Sequence, residues 1–198
     1  MSSNLKLAIT TIGDLLLDNA ITQDESQKRM SEVNLQIPNY QRPYKWTAKN
    51  VVQLLDDIIE AKTSNKEVYR VGTLILHRDA EKSRHYNIVD GQQRIITFSL
   101  MLRAMEQEID FLNQSLSENP FNKRNIPSNY RTLERRIGNI EERERSALLE
   151  YIKHNCELIV LITDDISEAF QFFDAQNARG KKLYPHDLLK AYHLREMN

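Results

Sequence analysis

The stretch Tyr86-Asn87-Ile88-Val89-Asp90-Gly91-Gln92-Gln93-Arg94 constrains the fold more than any other in the chain. A short run of β-forming residues, Tyr86 to Val89, meets Asp90-Gly91, and an apolar pattern of helical period starts at once. A strand that turns abruptly into a helix satisfies both periods. Asp90 is expected to cap the helix, and Gly91 to let the backbone turn tightly or approach a ligand. Gln92, Gln93 and Arg94 then project from the first turn, where unpaired N–H groups and the positive dipole end favour an anion. The spacing points to a phosphate-type corner. Behind it, Ile95, Phe98, Leu102, Met105 and Ile109 recur at alternating intervals of three and four. Burying that face contributes roughly 1.5–3 kcal/mol per large side chain before entropy, so the apolar side anchors the helix and the polar first turn is free for a ligand.

The rest of the chain is ordered around this corner. Ile9 to Leu17 reads as a short helix with Thr10 or Thr11 as cap. Val33, Leu35 and Ile37 alternate with polar residues as a strand does, and Pro38 ends the run. Asn39 to Trp46 is a loop crowded with aromatic and polar groups, after which Thr47 caps a helix with Val51, Leu54, Leu55, Ile58 and Ile59 on one face. Val68 to His77 is expected as a buried strand, joined to Tyr86–Val89 by a polar hairpin-like connection, Asp79 to Arg84. Ser115 to Ser128 has loop composition. Arg131 to His154 is helical and charge-dense, Glu157 to Ile162 is a strand, and Asp164 or Asp165 caps a helix bearing Ile166, Ala169, Phe170 and Phe173. A polar turn, Asn177 to Lys182, precedes a last helix from Pro185 to about Glu196.

Composition narrows the classes. The 198 residues suit one domain, with a mainly α/β core over residues 9–112 and a helix-rich second half over 128–198. A formal net charge of −1 requires any DNA contact to come from a local patch. The apolar runs fall short of the about 18–20 residues that span a membrane, and Met1 to Asn4 leads into no secretory leader, so a cytoplasmic protein with no membrane contact is expected. The lone cysteine, Cys156, excludes an internal disulfide and a cysteine-rich zinc site, and its apolar neighbours place it in a buried strand. The five histidines show no metal-ligand spacing. Asp56-Asp57 reads as a solvated helix face, and the arginines from Arg131 to Arg145, interleaved with glutamates, as a salt-laced exposed helix. Walker, Rossmann and Gly-x-Ser-x-Gly patterns are absent from the sequence.

Three loops share one composition: Tyr40-Gln41-Arg42, Asp90 to Arg94, and Asn177 through Lys181. Each sets amides, which donate and accept, beside a guanidinium suited to bidentate recognition of oxygen. Taken singly, each is an ordinary capped turn with a surface arginine. Taken together they converge on a polar ligand, and amides beside arginines fit a nucleotide better than a simple anion. Tyr40, Tyr44 and Trp46 could stack a base, although Trp46 stands where a hydrophobic staple would.

Ile37-Pro38-x-Tyr40-Gln41-Arg42-x-Tyr44-x-Trp46, then Asp90 to Arg94, then Phe173-x-x-x-Asn177-x-Arg179-Gly180-x-x-Leu183 with Asp187 and Lys190, together resemble the GmrS-like family. These are the ParB/sulfiredoxin-like N-terminal domains of GmrSD-type, modification-dependent restriction systems. The resemblance runs from about Ile9 to Leu194 and implies an α+β fold, a small mixed sheet with flanking helices and a helical C-terminal part. It further implies nucleotide binding or hydrolysis in bacterial defence against phage DNA. By matching position, Gln41, Arg42, Asp90, Gly91, Gln92, Gln93, Arg94, Asn177 and Arg179 become candidate ligand-binding residues, and Tyr40 beside them is taken as a further nucleotide-binding candidate. Family members continue into an HNH-type nuclease domain. This chain carries no such pattern, so it is expected to be an N-terminal fragment or to need a partner nuclease, and to reach DNA through that assembly.

The expected function is a nucleotide-dependent sensor that takes an NTP with Mg²⁺, Asp90 being the residue to hold the metal or orient water if hydrolysis occurs. The metal ligands are otherwise undefined by the sequence. The alternatives are a non-catalytic module binding modified DNA and, with less support, a ParB-like nuclease.

Overall fold

Two apolar runs become the central strands, β4 (Tyr69–His77) and β6 (Cys156–Thr163), paired in parallel from Tyr69 opposite Cys156 to His77 opposite Thr163. Leu74–Leu76 and Leu158–Ile162 are apolar on successive residues because the sheet is covered on both faces there. The structure, a computed structural model, describes residues 5–24, 26–78, 83–114 and 120–178, with side chains to 174. Around the central pair lie β1 (Lys6–Thr11), β2 (Gln23–Asp24), β3 (Asn34–Gln36) and β5 (His85–Asp90), in the order β2-β1-β6-β4-β5-β3. β1–β6, β1–β2 and β4–β5 are antiparallel, while β3–β5 is parallel like β4–β6. The protein is thus an α+β fold with a mixed sheet and flanking helices. β6 comes from the helix-rich half yet sits between β1 and β4, so the two halves share one sheet.

The helices are α1 (Ile12–Leu16), α2 (Ala48–Thr63), α3 (Gln92–Ala104), α4 (Pro120–Gly138), α5 (Glu142–Asn155) and α6 (Ile166–Ala178). The period-two alternation of the strands sorts their side chains onto two faces. Leu74, Leu76, Ile88, Val160 and Ile162 join the main core under α2, α3, α4 and α5. Ile75, Val89 and Leu161 point the other way and pack with Ala169 of α6, flanked by Ile166, Phe172 and Phe173. That second core is far smaller than the first.

Several expected elements differ. Ile9 to Thr11 belong to β1, because Thr10 is buried between β6 and the Thr22 backbone, and the helix begins only at Ile12 with Thr11 accepting from the Asp14 N–H at 3.1 Å. α3 stops at Ala104, short of Ile109, and is buried almost all round from Gln92 to Leu102 rather than on one stripe. Residues 120–128, expected as loop, are the first half of α4. Pro120 takes the first helical position, where its missing N–H costs nothing, and Pro127 is accommodated inside. Thr47 caps α2 as expected, with its N–H donating to Asn50 Oδ1 at 2.9 Å. Asp165 caps α6 by accepting from the Ser167 and Glu168 N–H groups. The charged helices are laced as expected: Arg136 pairs with Asp56, and Lys62 with Glu144 at 2.9 Å. The Asp79–Arg84 connection lies partly, and the Pro185–Glu196 helix wholly, outside the described residues.

Cys156 is fully buried in β6, and burial pushes its thiol up to about 12 from 9.0. The folded state therefore holds the neutral thiol, and the stability it contributes is present below pH 9 and lost as pH rises toward 12. A maleimide or disulfide reagent should leave Cys156 unmodified at pH 8 in the native protein and react promptly in denaturant. Fast native-state labelling would contradict this burial.

Candidate functional site

β5 ends at Asp90, opposite Ile75, while β4 extends on to Tyr69. The Tyr69–Leu74 stretch of β4 therefore has β6 on one side and, among the described residues, no strand on the other. A cleft of about 610 Å³ opens there, walled by the aromatic loop, α2, the first turn of α3 and α6.

The β5–α3 turn forms its floor. Asp90 is the last residue of β5, and Gly91 rather than Asp90 is the N-cap, with φ 101°. A Cβ on Gly91 would lie 2.9 Å from Leu74 Cδ1 and 3.3 Å from the Thr73 carbonyl, so glycine permits both the left-handed turn and its close approach to β4. With Asp90 relieved of capping, its carboxylate stands 3.8 Å from Arg94 at the cleft. The N–H groups opening α3 precede its first helical hydrogen bond, Ile95 N–H to Gly91 O, and lie beside the same space.

Arg94 donates from Nη2 to the Thr73 carbonyl at 2.7 Å, satisfying an acceptor on the unpaired edge of β4. Its guanidinium rests on Gly72, where β4 bulges against β6 and φ is 141°. A Cβ there would lie 2.0 Å from Arg94 Nη1. Burial lowers the pKa of Arg94, and the neighbouring Asp90 charge opposes that shift. The group stays charged, with its side chain 26% exposed and, among the described residues, one donor bonded to the Thr73 carbonyl and the Asp90 carboxylate alongside. Arg42 is different: it is exposed, and its guanidinium has no partner among the described residues.

The glutamines are the joints between this floor and the aromatic loop. Gln93 Oε1 accepts from the Lys45 and Trp46 N–H groups at 2.8 and 3.2 Å, and its Nε2 donates to the Pro43 carbonyl. Gln41 Nε2 donates to the Ile88 and Val89 carbonyls, closing the end of β5. Gln92 Nε2 donates to the Arg42 carbonyl at 3.1 Å, while its Oε1 is buried with no donor among the described residues. An unpaired buried acceptor costs about 1–3 kcal/mol.

Tyr44 is wholly buried and stacks no ligand: its hydroxyl bonds Thr97 Oγ1 at 2.9 Å and takes a bond from Asn129. Asn122, Asn125 and Asn129, one face of α4, hold the loop backbone at Tyr44 and Trp46. Trp46 packs against the main core and shows an edge to the cleft. Tyr40 is 52% exposed and meets Phe170 of α6 edge-on, with ring centroids 5.8 Å apart.

Tyr40, Gln41, Arg42, Asp90, Gly91, Gln92, Gln93 and Arg94 thus line one cleft. The Asn177 side chain and Arg179 lie outside the described residues. Sequence reasoning passed over Gly72, Thr73 and the asparagines, whose spacing of three and four in residues 122–129 was the available sign. Asp57, read as a solvated face, also lines the cleft, where after burial its charge raises the pKa of Tyr69. Among the described residues, no three of His, Cys, Asp and Glu gather as a metal-binding group. No described helix is long and apolar enough to cross a membrane.

The family of GmrSD restriction endonuclease N-terminal domains matches residues 17–194. The chain belongs to this family. It is the N-terminal domain type of a restriction system, and the match spans β3 and all the elements from α2 to α6 that build the cleft. No curated protein matches the chain.

Proposed function

We propose that the cleft binds a nucleotide through its phosphates and that the domain acts as a nucleotide-responsive sensor of the restriction system, governing a nuclease outside this chain. The observation that carries this reading is the convergence of Arg42, Arg94 and the α3 N-terminus on one cleft. Arg94 is a cation fixed by its bond to the Thr73 carbonyl, and Arg42 is an exposed one lining the same cleft. Each charge-assisted contact to a phosphate contributes on the order of 1.5–3 kcal/mol, and the helix end adds about 0.3–1 kcal/mol.

Two carboxylates, Asp57 and Asp90, share the cleft with the two guanidinium groups. They oppose a bare polyphosphate and suit one that arrives with Mg²⁺, which needs only one or two protein carboxylates besides phosphate oxygens. Asp90 and Asp57 would hold it, and the ion would neutralise phosphate charge. Asp90, freed from capping, is the residue to orient a water if the nucleotide is hydrolysed.

Calorimetric titration with ATP and GTP tests the reading. Binding should require Mg²⁺, and Arg42→Ala should weaken it about 10- to 150-fold. Equal affinity in the variant would remove Arg42 from the site. If neither nucleotide binds while DNA binds with a steep salt dependence, the domain is a DNA-reading module instead. Release of phosphate by the wild type and not by Asp90→Asn would make it an enzyme.

A further inference from the structure

We infer that Tyr40 and Phe170 form an aromatic clasp that takes the base of the bound nucleotide, and that opening the clasp transmits occupancy to α6. The inference rests on the nucleotide reading of the cleft. Among the described residues, Tyr40 and Phe170 are two of the four large hydrophobic side chains that stand exposed, at 52% and 41%, and they meet each other over the cleft. The groups proposed to bind phosphate, at Gly91–Arg94, line the same cleft as this pair.

The geometry couples this contact to α6. The rings are 5.8 Å apart and inclined at 61°, whereas a flat base between two parallel rings needs about 7 Å, twice a ~3.5 Å contact. The clasp must turn and widen by about 1 Å to admit a base. Tyr40 stands beside Gln41, which is tied to the ends of Ile88 and Val89, so its side of the clasp is anchored. Phe170 rides on α6, which is held by the small second core of Ile75, Val89, Leu161 and Ala169. Phe173, one turn on, both lines the cleft and packs into that core. The weaker attachment yields, and α6 is the last described element before the rest of the chain.

Mg-tripolyphosphate and Mg-ATP or Mg-GTP are the probes, with wild type, Phe170→Ala and Tyr40→Ala of the full chain. Phe170→Ala should weaken nucleotide binding about 5- to 150-fold, the range for loss of one base–aromatic stack, and leave tripolyphosphate binding within about twofold. Tyr40→Ala should act alike. Hydrogen exchange in α6 should change with nucleotide and not with tripolyphosphate. Nucleotide binding unaltered by either substitution, or α6 exchange indifferent to nucleotide, overturns the clasp while the phosphate site stands. Failure of both probes to bind the wild type overturns the site and the clasp with it.

Discussion

Tyr44→Ala should cost about 3–5 kcal/mol of stability, the range for truncating a fully buried aromatic side chain. Tyr44 is 0% exposed, and beyond its volume it carries a hydroxyl on which Thr97 and Asn129 both depend. Alanine leaves a cavity and two buried polar groups with a lost partner. Removing the hydroxyl alone, in Tyr44→Phe, should cost about 1–3 kcal/mol. At roughly 2–4 °C per kcal/mol for a chain of this size, the alanine variant should melt at least about 6 °C below wild type. Tyr40→Ala, four residues earlier and 52% exposed, gives up the edge-on contact with Phe170, worth about 0.5–1.5 kcal/mol, and should lower the midpoint clearly less than Tyr44→Ala. If the two alanine variants melted alike, the division of the loop into a buried anchor and an exposed ring would be wrong.

Gly72→Ala should weaken Mg-nucleotide binding as much as Arg94→Ala, about 10- to 150-fold, without touching a ligand. An added Cβ would stand 2.0 Å from Arg94 Nη1, and a φ of 141° is strained for alanine whatever the space. Arginine is flexible, so the guanidinium gives way first and leaves the Thr73 carbonyl. The backbone strain adds about 1–3 kcal/mol of destabilisation. Because both substitutions remove one interaction, the double variant should bind scarcely worse than either single one. Wild-type affinity in Gly72→Ala would show that the placement of Arg94 does not matter for binding.

The local pattern made much of the protein legible. Thr47 and Asp165 announced their helices because a cap and its hydrogen-bond partners are neighbours in sequence. The apolar run of Glu157 to Ile162 could be little other than a buried strand. Asp90 misled for the same local reason: it is a good capping residue, but Gly91 in the left-handed region takes the cap and leaves Asp90 in the strand. Asn122, Asn125 and Asn129 misled more. Asparagines beside prolines look like loop, yet on α4 they form a buried polar face whose partners are the backbone of Tyr44 and Trp46, about eighty residues away.

The sequence by itself determined the strand–glycine–helix corner, the α+β class and the family, since these rest on short-range periods and on motifs held in order. Tertiary structure decided which polar groups remain available to a ligand. Gln41 and Gln93 are largely spent on the backbone of the loop and of β5, Arg94 is seated on Gly72 and Thr73, and Arg42 stays open. The physical reason is that a side chain's chemistry is local, but its hydrogen-bond partners are set by where β5 stops against β4. No residue in the corner encodes that end point alone.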